Sequence, residues 1–404
     1  MLVGIEASAA VGSRRTGVGN YAANVIAGLQ RLGEAAGEVR FVYFSNRYGT
    51  SSDDNIAGLT AQTIYPRDRL PMRTLWMQIG LARSIARTRP DLCHFPNHLA
   101  PVLTHSETPF VVTMHDMSVY RCPQFQPFKT VAVHRAIMPA VARRTRLIVT
   151  VSESARQDIL HYLKVPPERV RVVYEGIGAH FWSHDHTDQP PTPEVRQRYD
   201  LHFPYILTVG TLEPRKNHAG LIDAFIRLVQ QERFAHHLVI VGARGWKEDA
   251  VLARVKKSGL SHRIHLLGYV PTADLPELYR GATAFAFPSF YEGFGLPVLE
   301  AFASGTPTLI SSASALTEVA GKGTALVVDA ESIEDIACGL HRLLVDRELA
   351  ASLRAKGFVR AREFSWDRCA AETFQLYQEV LGNGSGVVHL NGKTPSTFSL
   401  SSRG

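Results

Sequence analysis

Short, continuous apolar runs alternate with longer stretches of helical period along most of the chain. The first set is MLVGIEA at the start, VRFVYF at 39–44, DLCHF at 91–95, FVVTM at 110–114, RLIVTVS at 146–152 and VRVVY at 170–174. Their residues are apolar in succession rather than alternately, which suits strands covered on both faces of a parallel sheet. After the connector HDHTDQPPTPEVRQRYD the pattern restarts with YILTVG at 205–210, HLVIVG at 237–242 and RIHLLG at 263–268. TAFAFPS at 283–289, TPTLIS at 306–311 and ALVVD at 325–329 complete it. Helical stretches between most of these runs predict an α/β protein of two doubly wound parallel-sheet domains in tandem. The first covers 1–181 and the second 205–365, with a connector at 182–204. SWDRCAAETFQLYQEVL predicts a closing helix at 366–381, and the Gly-, Ser- and Thr-rich remainder, 382–404, reads as a disordered tail.

A length of 404 residues exceeds one ordinary core and agrees with two domains. No apolar run approaches the roughly 20 residues of a membrane-spanning helix, and the opening MLVGIEAS lacks a basic leader, so a cytoplasmic chain is expected. Cys93, Cys122, Cys338 and Cys369 lie far apart and form no CxxC pair, which reads as reduced thiols rather than a zinc or disulfide framework. No DxD occurs, and the cluster HDHTD at 184–188 sits in a Pro-rich connector, so neither a metal nor another cofactor is expected. The charge is uneven. Residues 1–181 carry 21 Lys and Arg against 13 Asp and Glu, while 182–404 carry 23 against 24. The excess of positive charge therefore belongs to the first half and points it at an anionic surface or ligand.

Ligands of open parallel sheets bind outside the carboxyl ends of the strands, so the loops there carry the candidate chemistry. After the first strand, VGSRRTGVGNYAANVIAGL places Gly17 and Gly19 where backbone amides can approach an anion at a helix start. It is not a Walker loop, since Val18 stands where the lysine would be, and GxGxxG is absent. In the second half, GTLEPRKNHAGLIDAF puts Arg215 and Lys216 just ahead of a helix that Asn217 caps. Two adjacent cations at a positive helix end make sense with a diphosphate across them.

The run FPSFYEGFGLPVLEAFASG, 287–305, is mostly apolar yet carries Glu292 and Glu300. A bare buried carboxylate is costly unless something compensates it. Pro288 ends the strand, Pro297 is placed as the first residue of the next helix with Glu300 in its first turn, and Gly305 stops it. The amides of Phe294, Gly295 and Leu296 then form a second anion cradle, with a carboxylate on either side able to accept from sugar hydroxyls.

These residues resemble the retaining glycosyltransferases of the GT-B fold, family 4. The likeness rests on the E-x7-E spacing of Glu292 and Glu300 in EGFGLPVLEAFASGTP, on GTLEPRKN, on ALTEVAG followed by ALVVD, and on the closing FSWDRCAAETFQLY. It extends to about residue 381. It implies two Rossmann-like domains facing across a cleft, the closing helix crossing back to the first. It also implies that Arg215, Lys216, Gly17, Gly19, Phe294, Gly295 and Leu296 hold the donor diphosphate. Glu300 would hold the ribose, Tyr269 and Val270 in LGYVPTADL would lie near the base, and Glu292 and His115, in VVTMHDMSVY, would face the transferred sugar. Two departures stand out: YEGIG at 174–178 has Glu175 where many relatives have asparagine, and Thr317 stands where proline is common.

The function implied is metal-independent transfer of a hexose from a nucleotide sugar to a saccharide hydroxyl. HFPNHLAP at 94–101 together with VVTMHDMS and GTLEPRKN resembles the bacterial branch that uses GDP-mannose in surface polysaccharide assembly; a UDP-hexose is the alternative. A sugar phosphorylase and a nonenzymatic carbohydrate-binding protein are the rival classes, and the missing fingerprint disfavours an NAD enzyme. RDRLPMRTLWMQIGLARSIARTRP, 67–90, mixes six arginines with Leu75, Trp76, Ile79 and Ile85 and is read as a helix on anionic lipid, which would present the site to a lipid-linked acceptor. No recognition helix or stacked-aromatic motif points to nucleic acid.

Overall fold

The structure, a computed structural model, describes residues 1–11, 15, 17–37, 39–46, 63–64, 73–104, 106–182, 192–231, 234–246 and 248–382. The HDHTD cluster, Arg67, Arg69 and nearly all of the tail lie outside these residues.

Two parallel sheets form. The first contains β1 (Leu2–Glu6), β2 (Arg40–Phe44), β3 (Thr63–Ile64), β4 (Leu92–Phe95), β5 (Phe110–Met114), β6 (Leu147–Thr150) and β7 (Val170–Val172), in the order β3-β2-β1-β4-β5-β6-β7. The second contains β8 (Tyr205–Val209), β9 (His237–Val241), β10 (Ile264–Gly268), β11 (Ala284–Phe287), β12 (Thr308–Ser311) and β13 (Leu326–Val328), in the order β10-β9-β8-β11-β12-β13. Each of the twelve apolar runs supplies one strand. β3, two residues at the sheet edge, has no such run and was not expected. In both sheets the strand order reverses beside the first strand, between β1 and β4 and between β8 and β11. The crevice at such a reversal, outside the carboxyl ends, is where a doubly wound sheet holds its ligand.

Successive residues of a strand enter different cores, which explains the unbroken apolar runs. Val111 and Val149 face a cluster that includes Tyr21, Val25 and Ile26 of α1 (Gly17–Ala36). Val112 and Ile148 face the opposite side, where they meet α2 (Arg73–Trp76, Met77–Leu81 and Ala82–Thr88, the middle segment π-helical), α3 (Phe128–Arg144) and α4 (Glu153–Leu163). In the second sheet Leu238 and Ile240 pack on α5 (His218–Gln231), while Leu207, Val239 and Phe285 join the core that contains α6 (Leu296–Ala303). α7 (Ala315–Ala320) follows β12. Each buried large apolar side chain contributes about 1.5–3 kcal/mol.

The last helix, α8 (Trp366–Val380), returns to the first domain and lies along α1. Ser365 caps it by accepting from the amides of Asp367 and Arg368. Its approach to α1 is close enough that a Cβ on Gly28 would stand 2.5 Å from the Cβ of Ala370. Gly176 has the same role against its first turn, where a Cβ would meet the Trp366 amide nitrogen at 2.1 Å. Arg31 pairs with Asp367 at 2.6 Å, and the buried Tyr377 hydroxyl meets His94 Nδ1 at 2.6 Å.

α2 differs from its sequence reading. Trp76 and Ile85 are 2% and 0% exposed and belong to the core, so they cannot touch lipid. Helical spacing instead brings Leu75, Ile79, Arg83 and Arg87 to the outer face. Among the described residues no helix is long and apolar enough to cross a membrane.

Candidate active site

β8 leads into a 3-10 turn, Pro214–Lys216, and then into Asn217 in the left-handed region at φ 56°. The Asn217 side chain caps α5, accepting from the Gly220 amide at 3.2 Å, and donates to the carbonyls of Pro288 and Ala330. This turn is thereby tied to the loop after β11 and delivers Arg215 and Lys216 to it. Arg215 Nη1 donates to the Tyr291 carbonyl at 2.6 Å and to Glu292 Oε2 at 2.9 Å, and Nη2 donates to Glu213 Oε1 at 2.6 Å. Lys216 Nζ lies 2.7 Å from Glu292 Oε1 and 4.8 Å from the Phe287 ring centroid.

Glu292 is the compensated carboxylate that its buried position requires. Burial alone would raise its pKa, but Arg215 and Lys216 outweigh it and hold the carboxyl below its ordinary value. Arg215 is raised in turn, because Glu292 and Glu213 outweigh its own desolvation. Neither the Glu213 contact nor this pairing was expected from the sequence. The Nε of Arg215 is buried without a hydrogen-bond partner among the described residues.

Gly295, at φ 115°, turns the chain into α6, and a Cβ there would lie 2.7 Å from Leu316. The helix begins one residue earlier than expected, at Leu296, so Pro297 is its second residue and Glu300 falls beyond the first turn. Among the described residues no protein group accepts from the amides of Phe294, Gly295 or Leu296. Ser314, at φ 46° and ψ −127°, clamps the same loop, its hydroxyl accepting from the Glu292 amide and donating to the Glu292 carbonyl, both at 2.8 Å. A non-glycine residue in that region stores strain, which this two-way contact holds in place.

A cavity of about 280 Å³ opens between the domains beside this loop. Tyr269, Leu296 and Glu300 line it, as do Arg15, Asn20 and His180, which sequence reasoning did not single out. Tyr279 donates to Glu300 Oε2 at 2.7 Å, yet burial, helped by the charge of Glu175, pushes the Glu300 carboxyl up to about 7. The Val270 side chain is 3% exposed and packs in the core instead. Of the two N-terminal glycines, Gly19 is sterically required, since a Cβ would lie 2.7 Å from the Ala9 carbonyl; at Gly17 a Cβ would meet nothing within 4 Å.

His115 follows β5, and both of its ring nitrogens are engaged: Nδ1 is 3.3 Å from Glu175 Oε1 and Nε2 is 3.1 Å from the Pro96 carbonyl. The domains meet directly here. A Cβ on Gly293 would stand 2.0 Å from the His115 carbonyl oxygen, and Ser152 donates to the Gly293 carbonyl at 2.7 Å. The Tyr291 hydroxyl reaches Asp158 at 2.8 Å and accepts from the Met117 amide. Glu318 of α7 accepts from the amides of Glu153 and Ser154 at the start of α4, and Trp246 Nε1 donates across the cleft to the Phe125 carbonyl at 2.7 Å. Among the described residues no group of three or more His, Cys, Asp or Glu is arranged to hold a metal ion.

Residues 15–180 match the family model described as Glycosyltransferase Family 4, and residues 194–360 match Glycosyl transferases group 1. O-antigen chain mannosyltransferase B of Escherichia coli is 34% identical over 286 residues, 70% of this chain and 73% of that protein. The chain belongs to the family 4 glycosyltransferases. The family's GT-B fold is seen in solved structures that cover nearly all of this one. Sucrose-phosphate synthase from Thermosynechococcus elongatus superposes with a TM-score of 0.74 at 20% identity, over 95% of this chain and 99% of that one. HepE of Anabaena, solved in complex with UDP-glucose, has a TM-score of 0.73 at 16% identity, over 94% and 99%. In this glycosyltransferase the half-buried Arg215 and Lys216 are held on Glu292 in the loop ahead of α6, whose first residue, Leu296, reaches the cavity together with Glu300 and Tyr269.

Proposed function

We propose that this glycosyltransferase moves mannose from GDP-mannose to a hydroxyl of a lipid-linked saccharide in surface polysaccharide assembly, with retention at the anomeric carbon. The observation that carries the reading is that Arg215 and Lys216 both close on Glu292, two residues ahead of a helix start whose Phe294, Gly295 and Leu296 amides donate to no protein group among the described residues. The likeness to an O-antigen mannosyltransferase supports mannose as the sugar. In the reaction the bond from the anomeric carbon to the diphosphate oxygen breaks with its electron pair leaving on oxygen. The acceptor hydroxyl forms the new glycosidic bond, and its proton passes to the departing phosphate. Arg215, Lys216 and the helix start act on the negative charge that grows on the leaving group, where fixed charges are most effective. Glu292 keeps the two cations together and offers its remaining accepting capacity to the sugar, while Glu300, held from behind by the buried Tyr279, faces the ribose.

Thermal shift with GDP-mannose, GDP-fucose, UDP-glucose and UDP-GlcNAc tests the donor. A ligand present at about 100 times its Kd stabilises by about 2.7 kcal/mol. GDP-mannose is expected to raise the melting temperature most; a larger shift with a UDP sugar overturns the donor, and no shift with any of them overturns the site.

We further infer that the first domain rests on anionic lipid. Leu75 and Ile79 are exposed on α2 beside Arg83 and Arg87. The loop that carries the exposed Leu103 is tied to α2 through Gln78, and His98 of the same loop packs on His134 of α3, where Phe128 is 85% exposed. Apolar side chains among cations fit an interface of acyl chains under acidic headgroups, each cation adding about 1 kcal/mol near such a surface. Co-sedimentation with vesicles containing phosphatidylglycerol, and none with phosphatidylcholine alone, is the expected result. Phe128→Asp together with Arg87→Glu should abolish it. Equal binding to both vesicle types, or to neither, rejects this surface.

A further inference from the structure

We propose that Glu175 is a positioning residue that holds His115 as a doubly protonated imidazolium at the end of β5. The argument is one of hydrogen-bond direction. A main-chain carbonyl can only accept, so the Nε2 position opposite Pro96 must carry a proton. An ionised carboxylate can also only accept, so Nδ1 opposite Glu175 Oε1 must carry one too. Against an ionised Glu175, a neutral imidazole, with its single N–H, would leave one of the two contacts repulsive. The pair is shut away from water, with side-chain exposures of 13% for His115 and 6% for Glu175. Ionic pairs in such a place are strongly coupled, and the loss of one member is felt by the other.

Other groups face the pair from every side. Asp116, the next residue, adds negative charge near His115. Tyr21 of α1 presents its ring edge at a centroid distance of 4.6 Å. His94 of β4, pushed down to about 3 by burial, stays neutral between Thr113 and Tyr377. Glu300 of α6 and Cys369 of α8 lie near Glu175. Burial opposes the charge on His115, but Glu175 outweighs it and the imidazole is raised above its ordinary value. The inference rests on the proposed reading of the cleft as a nucleotide-sugar site. There the imidazolium would stand at the end of β5 with its orientation and charge set before the diphosphate leaves.

Nitrogen NMR of the full chain without substrate decides the protonation state independently of turnover. Signals of a doubly protonated His115 ring that converts to neutral at higher pH than an ordinary histidine are expected. A neutral ring at pH 7, with the proton on Glu175 instead, overturns the proposal whether or not the donor assignment is right. In Glu175→Gln, His115 should titrate at lower pH. The alkaline limb of kcat/KM, along which activity falls about tenfold per pH unit, should move down with it, and Glu175→Asp should restore part of the shift. An alkaline limb unchanged in Glu175→Gln reduces Glu175 to a packing residue.

Discussion

Lys216→Ala lowers kcat for sugar transfer by about 10²- to 10³-fold while leaving the fold intact. The magnitude is that of removing one preorganised group aimed at charge that develops in a transition state. Lys216 is a better probe than Arg215 because of what each leaves behind. Without Lys216, Glu292 keeps its contact with Arg215 at 2.9 Å. Without Arg215, the buried Glu213 loses its cation and Glu292 one of its two, and breaking a buried pair costs about 3–5 kcal/mol. Steady-state kinetics with saturating donor, beside a melting curve, measures both quantities. Activity within tenfold of the unmodified protein would remove Lys216 from the chemistry.

Gly293→Ala should cut kcat/KM by about 10²-fold or more by a different route. Its Cβ would need the space of the His115 carbonyl oxygen, 2.0 Å away, and would lie 2.9 Å from the Asp116 Cβ. Both obstacles belong to the other domain, and the first is main chain, which cannot swing aside. Each domain can fold around the added methyl group, but the two cannot approach as closely, and a misplacement of about 1 Å between reacting groups is enough for a loss of that size. Small-angle scattering should report a larger radius for the variant at an unchanged melting temperature. A normal rate at the unmodified radius would show that the contact at Gly293 is dispensable.

The fold was legible because its strands run through two cores at once, so their apolar runs are continuous and hard to mistake. β3 escaped notice because two residues are too few to show a period. Within the site, the glycine loop, the adjacent cations and the helix after β11 were legible from local rules of chain geometry. The pairing of Glu292 with Arg215 was not, since 77 positions separate them and only the sheet order brings their loops together. Glu175 did leave a trace, as a departure from the family's pattern, but its partner could not be named without the fold. In α2 the arginines between apolar residues suggested a lipid-facing helix. The π-helical segment Met77–Leu81 departs from the ordinary helical period, and the structure carries Trp76, Met77, Leu81 and Ile85 all into the core.

The Glu318 contact bears on how the two halves part. Its carboxylate serves two main-chain amides at once, and both belong to the opposite domain. Any outward swing strips a charged group and a helix terminus of their partners in the same movement, and Trp246 must release Phe125 on the far side. Prising the jaws apart therefore surrenders these contacts at opposite ends of the cleft together, so the shut setting is latched at both ends rather than at one hinge-side point.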